Sequence, residues 1–323
     1  MPLKLAKQPQ SLMHPSANVR DCPCCAGPTQ RGAWAVVAPF IAEYVKPGCA
    51  SLVQLLECSR CQHRFFDYAY TAQETQTLYG EYRSQGYFQC RHRHEPWYSL
   101  KVNEANQQPD VVRSRVTAMR SFLEPFLPFR RTDLVLADLG GDAGQFIPLD
   151  LVAKAFVVEA SNQRPVPGVA RVNSLEEIPD DVNILVCAHV LEHLPEPAAY
   201  LHAQLSSPKL LPGSLIYVEV PLERHGISPL MATRAYKQYL KVLRQIPPLF
   251  FIFDFLSVVA RSYLGFLLPP LLVKLHEHVN FFTAASLLQC VETDWIEVLA
   301  CKADPASAFS THQGVIRLVA RKR

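Results

Sequence analysis

Neither sign of charge dominates this 323-residue chain. Its 32 Lys and Arg face 29 Asp and Glu, and a net charge of +3 makes no general electrostatic case for a nucleic-acid partner. No uncharged apolar run reaches the ~18 residues that span a bilayer. The richest stretch, 222–275, is interrupted by Asp254 and Arg261 and broken by Pro269-Pro270. The opening Met-Pro-Leu-Lys-Leu-Ala-Lys-Gln lacks an apolar core of signal-peptide length, so a cytoplasmic location and reduced cysteines are expected. Repeats and low-complexity tracts are missing too. What remains is a 49% hydrophobic chain, enough for one large globular domain or two modest ones.

Ten cysteines in a reducing compartment need a use other than disulfides. Cys22-Pro-Cys-Cys25 and Cys58-Ser-Arg-Cys61 form two Cys-x-x-Cys knuckles, each able to place two thiolates on one ion. Four thiolates from Cys22, Cys25, Cys58 and Cys61 satisfy tetrahedral zinc and leave no open position, so a structural Zn2+ site is expected in preference to a redox pair or plain core residues. Cys24 is a bystander, and Cys49, Cys90, Cys187, Cys290 and Cys301 read as ordinary buried thiols.

Residues 134–144, Leu-Val-Leu-Ala-Asp-Leu-Gly-Gly-Asp-Ala-Gly, run from an apolar strand through an acid into a glycine-rich turn. Gly140, Gly141 and Gly144 let backbone approach a ligand where a Cβ would clash. About 20 residues on, Ala155-Phe-Val-Val-Glu159 repeats the acid-tipped strand, which suits ribose hydroxyls. Asn183–Ala188 and Gly213–Pro221 read as further buried parallel strands, with His189 to Leu194 between them. In this order the segments resemble the class I S-adenosylmethionine-dependent methyltransferases: Asp138-x-Gly140-x-Asp142-x-Gly144 resembles that family's glycine loop, Glu159 its ribose acid, and Val190-Leu-Glu-His-Leu194 its segment after strand four. Asp142 stands where the family has its middle glycine. The resemblance implies an α/β fold, a Rossmann-like sheet with helices on both faces, and S-adenosyl-L-methionine bound by Asp138, Gly140, Gly144 and Glu159. Asn173, Ser174 and Leu175 are expected on the adenine side and His189 at the far edge of the cleft. A dinucleotide fits less well, because the spacing is not Gly-x-Gly-x-x-Gly.

Helical spacing over 110–123 predicts the helix leading into the first core strand, and Pro195-Glu-Pro197 opens the helix after strand four. Residues 295–301 and 314–320 read as a closing strand pair. The expected organisation is a zinc-binding module and connector at 1–100, the first part of the core at 101–225, an apolar helical lid at 226–275, and completion of the core at 276–323. Basic residues Arg234, Lys237, Lys241 and Arg244 precede the apolar part of the insertion. A lid over the acceptor pocket, a subunit contact and peripheral membrane contact through 245–273 are its alternatives. Arg91-His-Arg-His94, the one basic cluster, reads as a solvated loop.

Methyl transfer by in-line displacement needs a positioned acceptor and often a base. His193 after strand four, and Glu277 and His278 in His276-Glu-His-Val-Asn-Phe-Phe-Thr283, are the candidates. The cysteine knuckles resemble the zinc module of the sugar C-methyltransferase family, whose active-site Leu-x-His and Glu-His pair match Leu191-Glu-His193 and Glu277-His278. That resemblance implies a sugar or nucleotide-linked sugar acceptor, aromatic cover of the donor by Tyr79, Tyr82 and Tyr87, and His312 bordering the site. The family's tyrosine shortly before the Glu-His pair has no counterpart in Lys274-Leu-His276, and these 323 residues include no counterpart of its large C-terminal domain. Competing readings are an RNA methyltransferase docking through the zinc ribbon and a donor-binding scaffold without turnover.

Overall fold

The computed structural model describes residues 20–48, 51–128, 133–159, 163–223, 226–305 and 314–323. The expectations for Cys49 and His312 fall outside these residues. The amino-terminal part folds as antiparallel strands β1 (Thr29–Val37), β2 (Leu52–Cys58) and β3 (Arg64–Phe66). It is not closed on itself. Strand β11 (Val273–Leu275) adds parallel to β1, and β12 (Asn280–Phe281) adds antiparallel to β3, giving the order β11-β1-β2-β3-β12. The sheet therefore carries the His276–His278 segment between two of its own strands.

The second sheet has seven strands: β4 (Val135–Leu139), β5 (Lys154–Val158), β6 (Val169–Val172), β7 (Val182–Ala188), β8 (Leu210–Pro221), β13 (Ile296–Asp304) and β14 (Val315–Lys322). Their order is β13-β14-β8-β7-β4-β5-β6, with β14 antiparallel to both neighbours and the rest of the pairs parallel. Every residue of β4 is buried, as an apolar run covered on both faces requires. The helix Pro109–Leu123 covers one face through Met119 and Leu123, and helices Pro197–Leu205 and Ala284–Val291 pack on the other through Leu201, Leu205, Leu287 and Val291. After β4 the chain moves outward through β5 and β6, then returns to β7 on the opposite side of β4. Ligands of such sheets sit at that reversal, beyond the carboxyl ends of the strands.

The insertion contains helices Arg234–Leu243 and Pro247–Tyr263, and its base is tied by the parallel pair β9 (Gly226–Ile227) and β10 (Phe266–Leu267). Its buried Met231, Tyr236, Leu240, Leu243 and Phe250 join the core of the amino-terminal sheet with Ala35, Val36 and Phe40. Among the described residues, no helix is long and apolar enough to cross a membrane.

Candidate active site

The glycine turn after β4 is fixed by sterics. Gly140 and Gly144 have φ of +63° and +76°, and a Cβ on Gly141 would stand 2.3 Å from the Asp138 carboxylate. The turn and the segment after β7 touch, since a Cβ on Gly140 would meet Val190 at 2.9 Å. Asp142 occupies the left-handed region itself, at φ +59°, and its carboxylate accepts from Gln145 Nε2 at 3.1 Å. Asp138 is buried with Oδ1 lacking a hydrogen-bond partner. Burial pushes its pKa up to about 7 against the pull of Arg115, with Glu159 and Asp142 adding to the rise. Glu159 is the first residue past β5, half-buried, its N–H donating to Val172 O at 3.1 Å. An orphaned acid and a turn with no room for a Cβ fit a ligand that brings its own polar groups.

Other expected donor-side residues fall in different environments. Asn173 is tied through its backbone N–H and its side chain to Glu177, at 2.9 and 3.0 Å. Ser174 precedes the short turn Leu175–Glu177, and the Leu175 side chain lies in the core. His189, at φ +57°, sits at the carboxyl end of β7 with Nε2 3.0 Å from Glu219 Oε1 and Nδ1 3.3 Å from Glu192 Oε1. Glu219 also accepts from Arg317 Nε at 2.7 Å and Tyr217 OH at 2.6 Å.

His193, Glu277 and His278 converge. Val279 N–H donates to Glu192 O at 2.9 Å, and Asn280 Nδ2 donates to Leu191 O and Leu194 O at 3.2 and 2.6 Å, which lays the 277–280 segment along 191–194. The His193 and His278 ring centres are 4.8 Å apart. His193 Nδ1 lies 2.7 Å from Tyr79 OH and 3.2 Å from Glu277 O. Burial lowers its pKa to about 4. The Glu277 carboxylate accepts from Tyr87 OH and, at 3.0 Å, from Arg91 Nη1. Burial raises its pKa to about 7. His278 Nδ1 bonds the Glu223 carboxylate. Burial alone would lower its pKa, but Glu223, Glu192 and Glu277 raise it to about 9. Tyr79, Tyr82 and Tyr87 form an edge-packed aromatic run against His193, with Tyr79 5.1 Å from its ring.

Four participants were not expected at the site from the sequence. Glu223 and Glu192 flank the histidines, and Glu192 is buried with His189 Nδ1 at 3.3 Å and His193 Nε2 at 3.8 Å from its Oε1. Arg115 reaches beneath the glycine turn to stack on Phe146 at 3.8 Å. Arg91 corrects an expectation: the basic run 91–94 is the last turn of the helix Gln85–His94, not a solvated loop. Arg91 turns inward to Glu277 and Glu95, while Arg93 and His94 pair with Glu43 at 2.6 and 2.7 Å. Glu277 and Glu43, distant in sequence, hold Arg91, Arg93 and His94 in place, a pairing that local composition does not reveal.

The four knuckle cysteines form one cluster. Cys22 and Cys61 Sγ are 3.6 Å apart, Cys25 and Cys58 3.5 Å, and Cys25 and Cys61 3.4 Å. These separations are far beyond a disulfide's ~2.05 Å and approach the ~3.8 Å edge of a tetrahedron with Zn–S bonds of about 2.3 Å. Cys24 is buried in the adjoining core and is not part of the cluster.

An open, largely parallel sheet with an acid-tipped strand and a glycine turn at its reversal defines an α/β enzyme built around a nucleotide-like cofactor. The family model described as "Methyltransferase domain" matches residues 111–293, and the chain belongs to that methyltransferase family. No curated protein sequence matches the chain. Among solved structures, the magnesium protoporphyrin IX methyltransferase of Synechocystis PCC 6803 with bound SAH is 14% identical, with 77% of this chain and 100% of that one covered and a TM-score of 0.42. A putative methyltransferase from Bacillus halodurans C-125 is 11% identical over 65% and 99% of the two chains, TM-score 0.39. The plantazolicin methyltransferase with SAH is also 11% identical, over 68% and 88%, TM-score 0.39.

Proposed function

We propose that this methyltransferase moves the methyl group of S-adenosylmethionine to a small-molecule acceptor, a sugar or nucleotide-linked sugar. The observation that carries this reading is the convergence of His193, Glu277 and His278 with Tyr79 and Tyr87 on the segment that touches the glycine turn. A donor held by Asp138, Gly140, Gly144 and Glu159 supplies an electrophilic methyl group. His189 and the 173–175 segment border the same end of the sheet. The polar and aromatic groups facing it suit a hydroxylated acceptor, which offers a proton to remove and rings to stack against.

The charges divide the work. At neutral pH His193 is a neutral imidazole able to take a proton, whereas His278 is an imidazolium held by Glu223 and suited to donating to an acceptor oxygen. Glu277, locked by Tyr87 and Arg91, positions both histidines through its backbone carbonyl and its charge. The Cys22, Cys25, Cys58, Cys61 cluster would hold a structural zinc ion, and four thiolates would leave no open position for chemistry.

The test is a transfer assay with radiolabelled S-adenosylmethionine and a panel of nucleoside-diphosphate sugars, beside calorimetry of donor binding. The expected result is label on at least one sugar, at least 100-fold slower transfer for His193→Gln and His278→Ala with donor affinity kept, and at least tenfold weaker donor binding for Glu159→Ala. Absence of donor heat with wild type, or native turnover in both histidine variants, overturns the reading.

A further inference from the structure

The helix Pro247–Tyr263 is built inside out. Its protein-facing side carries Phe250, Asp254, Ser257 and Ala260. Asp254 pairs with Lys274 at 2.9 Å, and Ser257 Oγ accepts from Leu272 N–H at 2.8 Å. Five large apolar side chains point the other way: Leu249, Phe251, Ile252, Phe255 and Leu256 remain between 43% and 49% exposed. Tyr263, Leu264, Phe266 and Leu268 continue the surface past the helix end, 42% to 75% exposed. Nine such side chains offer on the order of 700 Å2 of apolar surface, more than the roughly 300–600 Å2 of the largest patch on an ordinary soluble monomer. A helix that turns Asp254 and Ser257 to the protein and Leu249, Phe251, Ile252, Phe255 and Leu256 to the outside needs an apolar medium there.

Charge says which medium. Between residues 226 and 273 the chain has five cations, Arg234, Lys237, Lys241, Arg244 and Arg261, and one acid, Asp254. That acid is buried and paired, so the insertion presents basic groups beside an apolar face with no acid of its own among them. A second copy docked about a two-fold axis would set these cations against each other. An anionic lipid surface complements them. Trp97, packed on Phe251 and Phe255 with ring centres at 5.4 and 5.6 Å, adds the kind of aromatic group that favours the headgroup level.

We propose that this face docks on an anionic phospholipid bilayer, with Pro247–Tyr263 lying in the plane of the interface and its basic neighbours at the headgroups. The inference stands independently of the acceptor chosen above. A buried chain of ion pairs, Asp254 to Lys274, Lys274 to Glu95 at 2.6 Å, Glu95 to Arg91 at 3.1 Å and Arg91 to Glu277 at 3.0 Å, fixes the docking helix to the catalytic cluster.

Vesicle co-sedimentation of the full chain tests this, using phosphatidylcholine alone and phosphatidylcholine with about one-third phosphatidylglycerol. Binding to the anionic vesicles is expected at least tenfold tighter than to the neutral ones, and weaker as salt rises. The double variant Phe251→Asp with Phe255→Asp should lose at least tenfold on anionic vesicles while keeping its thermal midpoint and donor affinity. Lys241→Glu with Arg261→Glu, which leaves the apolar face intact, should lose the preference for anionic lipid. Failure of wild type to bind either vesicle, or unchanged binding in both double variants, overturns the proposal. So does light scattering that shows a dimer dissociated by Phe251→Asp with Phe255→Asp and no vesicle binding, which would make the face a subunit contact. Donor calorimetry in the same preparations separates failure of docking from failure of the methyltransferase reading.

Discussion

Asp142 holds a backbone conformation of φ +59° that costs an ordinary L-residue about 1–2 kcal/mol. Aspartate bears it better than most, and its bond from Gln145 returns part of the cost. Asp142→Gly should therefore leave stability within about 0.5 kcal/mol of wild type, and Asp142→Val should lose roughly 1–2 kcal/mol, both measured by urea titration. The sequence marks this residue as a departure from a glycine pattern, and the positive φ explains why glycine suits the position. The partner of His278 is a different matter. Glu223 lies 55 residues away across the insertion, so no local spacing discloses it. That pairing has a pH signature. His278 is raised from its ordinary value of 6.5 to about 9, so its charged form is favoured in the folded state. Its contribution to stability is fully present below pH 6.5 and disappears as pH rises through 9. The stability difference between wild type and His278→Gln, followed by denaturant melts, should shrink by up to about 3 kcal/mol between pH 6 and pH 10. A constant difference across that range would mean that the imidazole is not held as a cation.

The elements of the seven-stranded sheet were legible because parallel strands buried on both faces leave continuous apolar runs, as in Val135–Leu139 and Val182–Ala188. The helix expected over 110–123 runs from Pro109 to Leu123, and the closing pair appears as β13 and β14. Strand β6, Val-Ala-Arg-Val at the sheet edge, is short and half-exposed and gives no such signal. The amino-terminal sheet was illegible for a stronger reason, since β11 and β12 join it from more than 200 residues downstream. Strand β12 is stapled by one side chain. Asn280, itself buried, donates to Leu191 O and Leu194 O and faces His63 Nε2 at 3.1 Å. Asn280→Leu would leave those groups without partners, and a loss of roughly 2–4 kcal/mol is expected in thermal or urea unfolding. Because the same bonds lay 277–280 along 191–194, turnover should fall in this variant at temperatures where it is still folded.

At the scale of the whole molecule, the candidate site is assembled between two sheets. The seven-stranded sheet supplies the glycine turn, Glu159 and His193. The amino-terminal sheet carries Glu277 and His278 between β11 and β12, and the connector helices bring Tyr79, Tyr87 and Arg91. The cysteine cluster sits where these parts meet: Thr283 Oγ1, two residues past β12, donates to Cys61 O at 3.0 Å, and the cysteines share a core with Leu287 and Cys290. Metal at the four thiolates would therefore secure the acceptor half directly, and would reach the donor half only through the apolar core that the cysteines share with β4 and β5. One zinc per chain should copurify, by elemental analysis. Stripping it with a chelator should expose residues 20–66 to protease and abolish methyl transfer, yet leave S-adenosylmethionine affinity within about threefold, because Asp138 lies on β4 and Gly140 and Glu159 just past β4 and β5, in a sheet whose strand pairing uses none of the four cysteines. If donor binding and turnover fell together, the two sheets would be one cooperative unit; if neither changed after complete removal, the cluster would be four core cysteines and the metal assignment would fail.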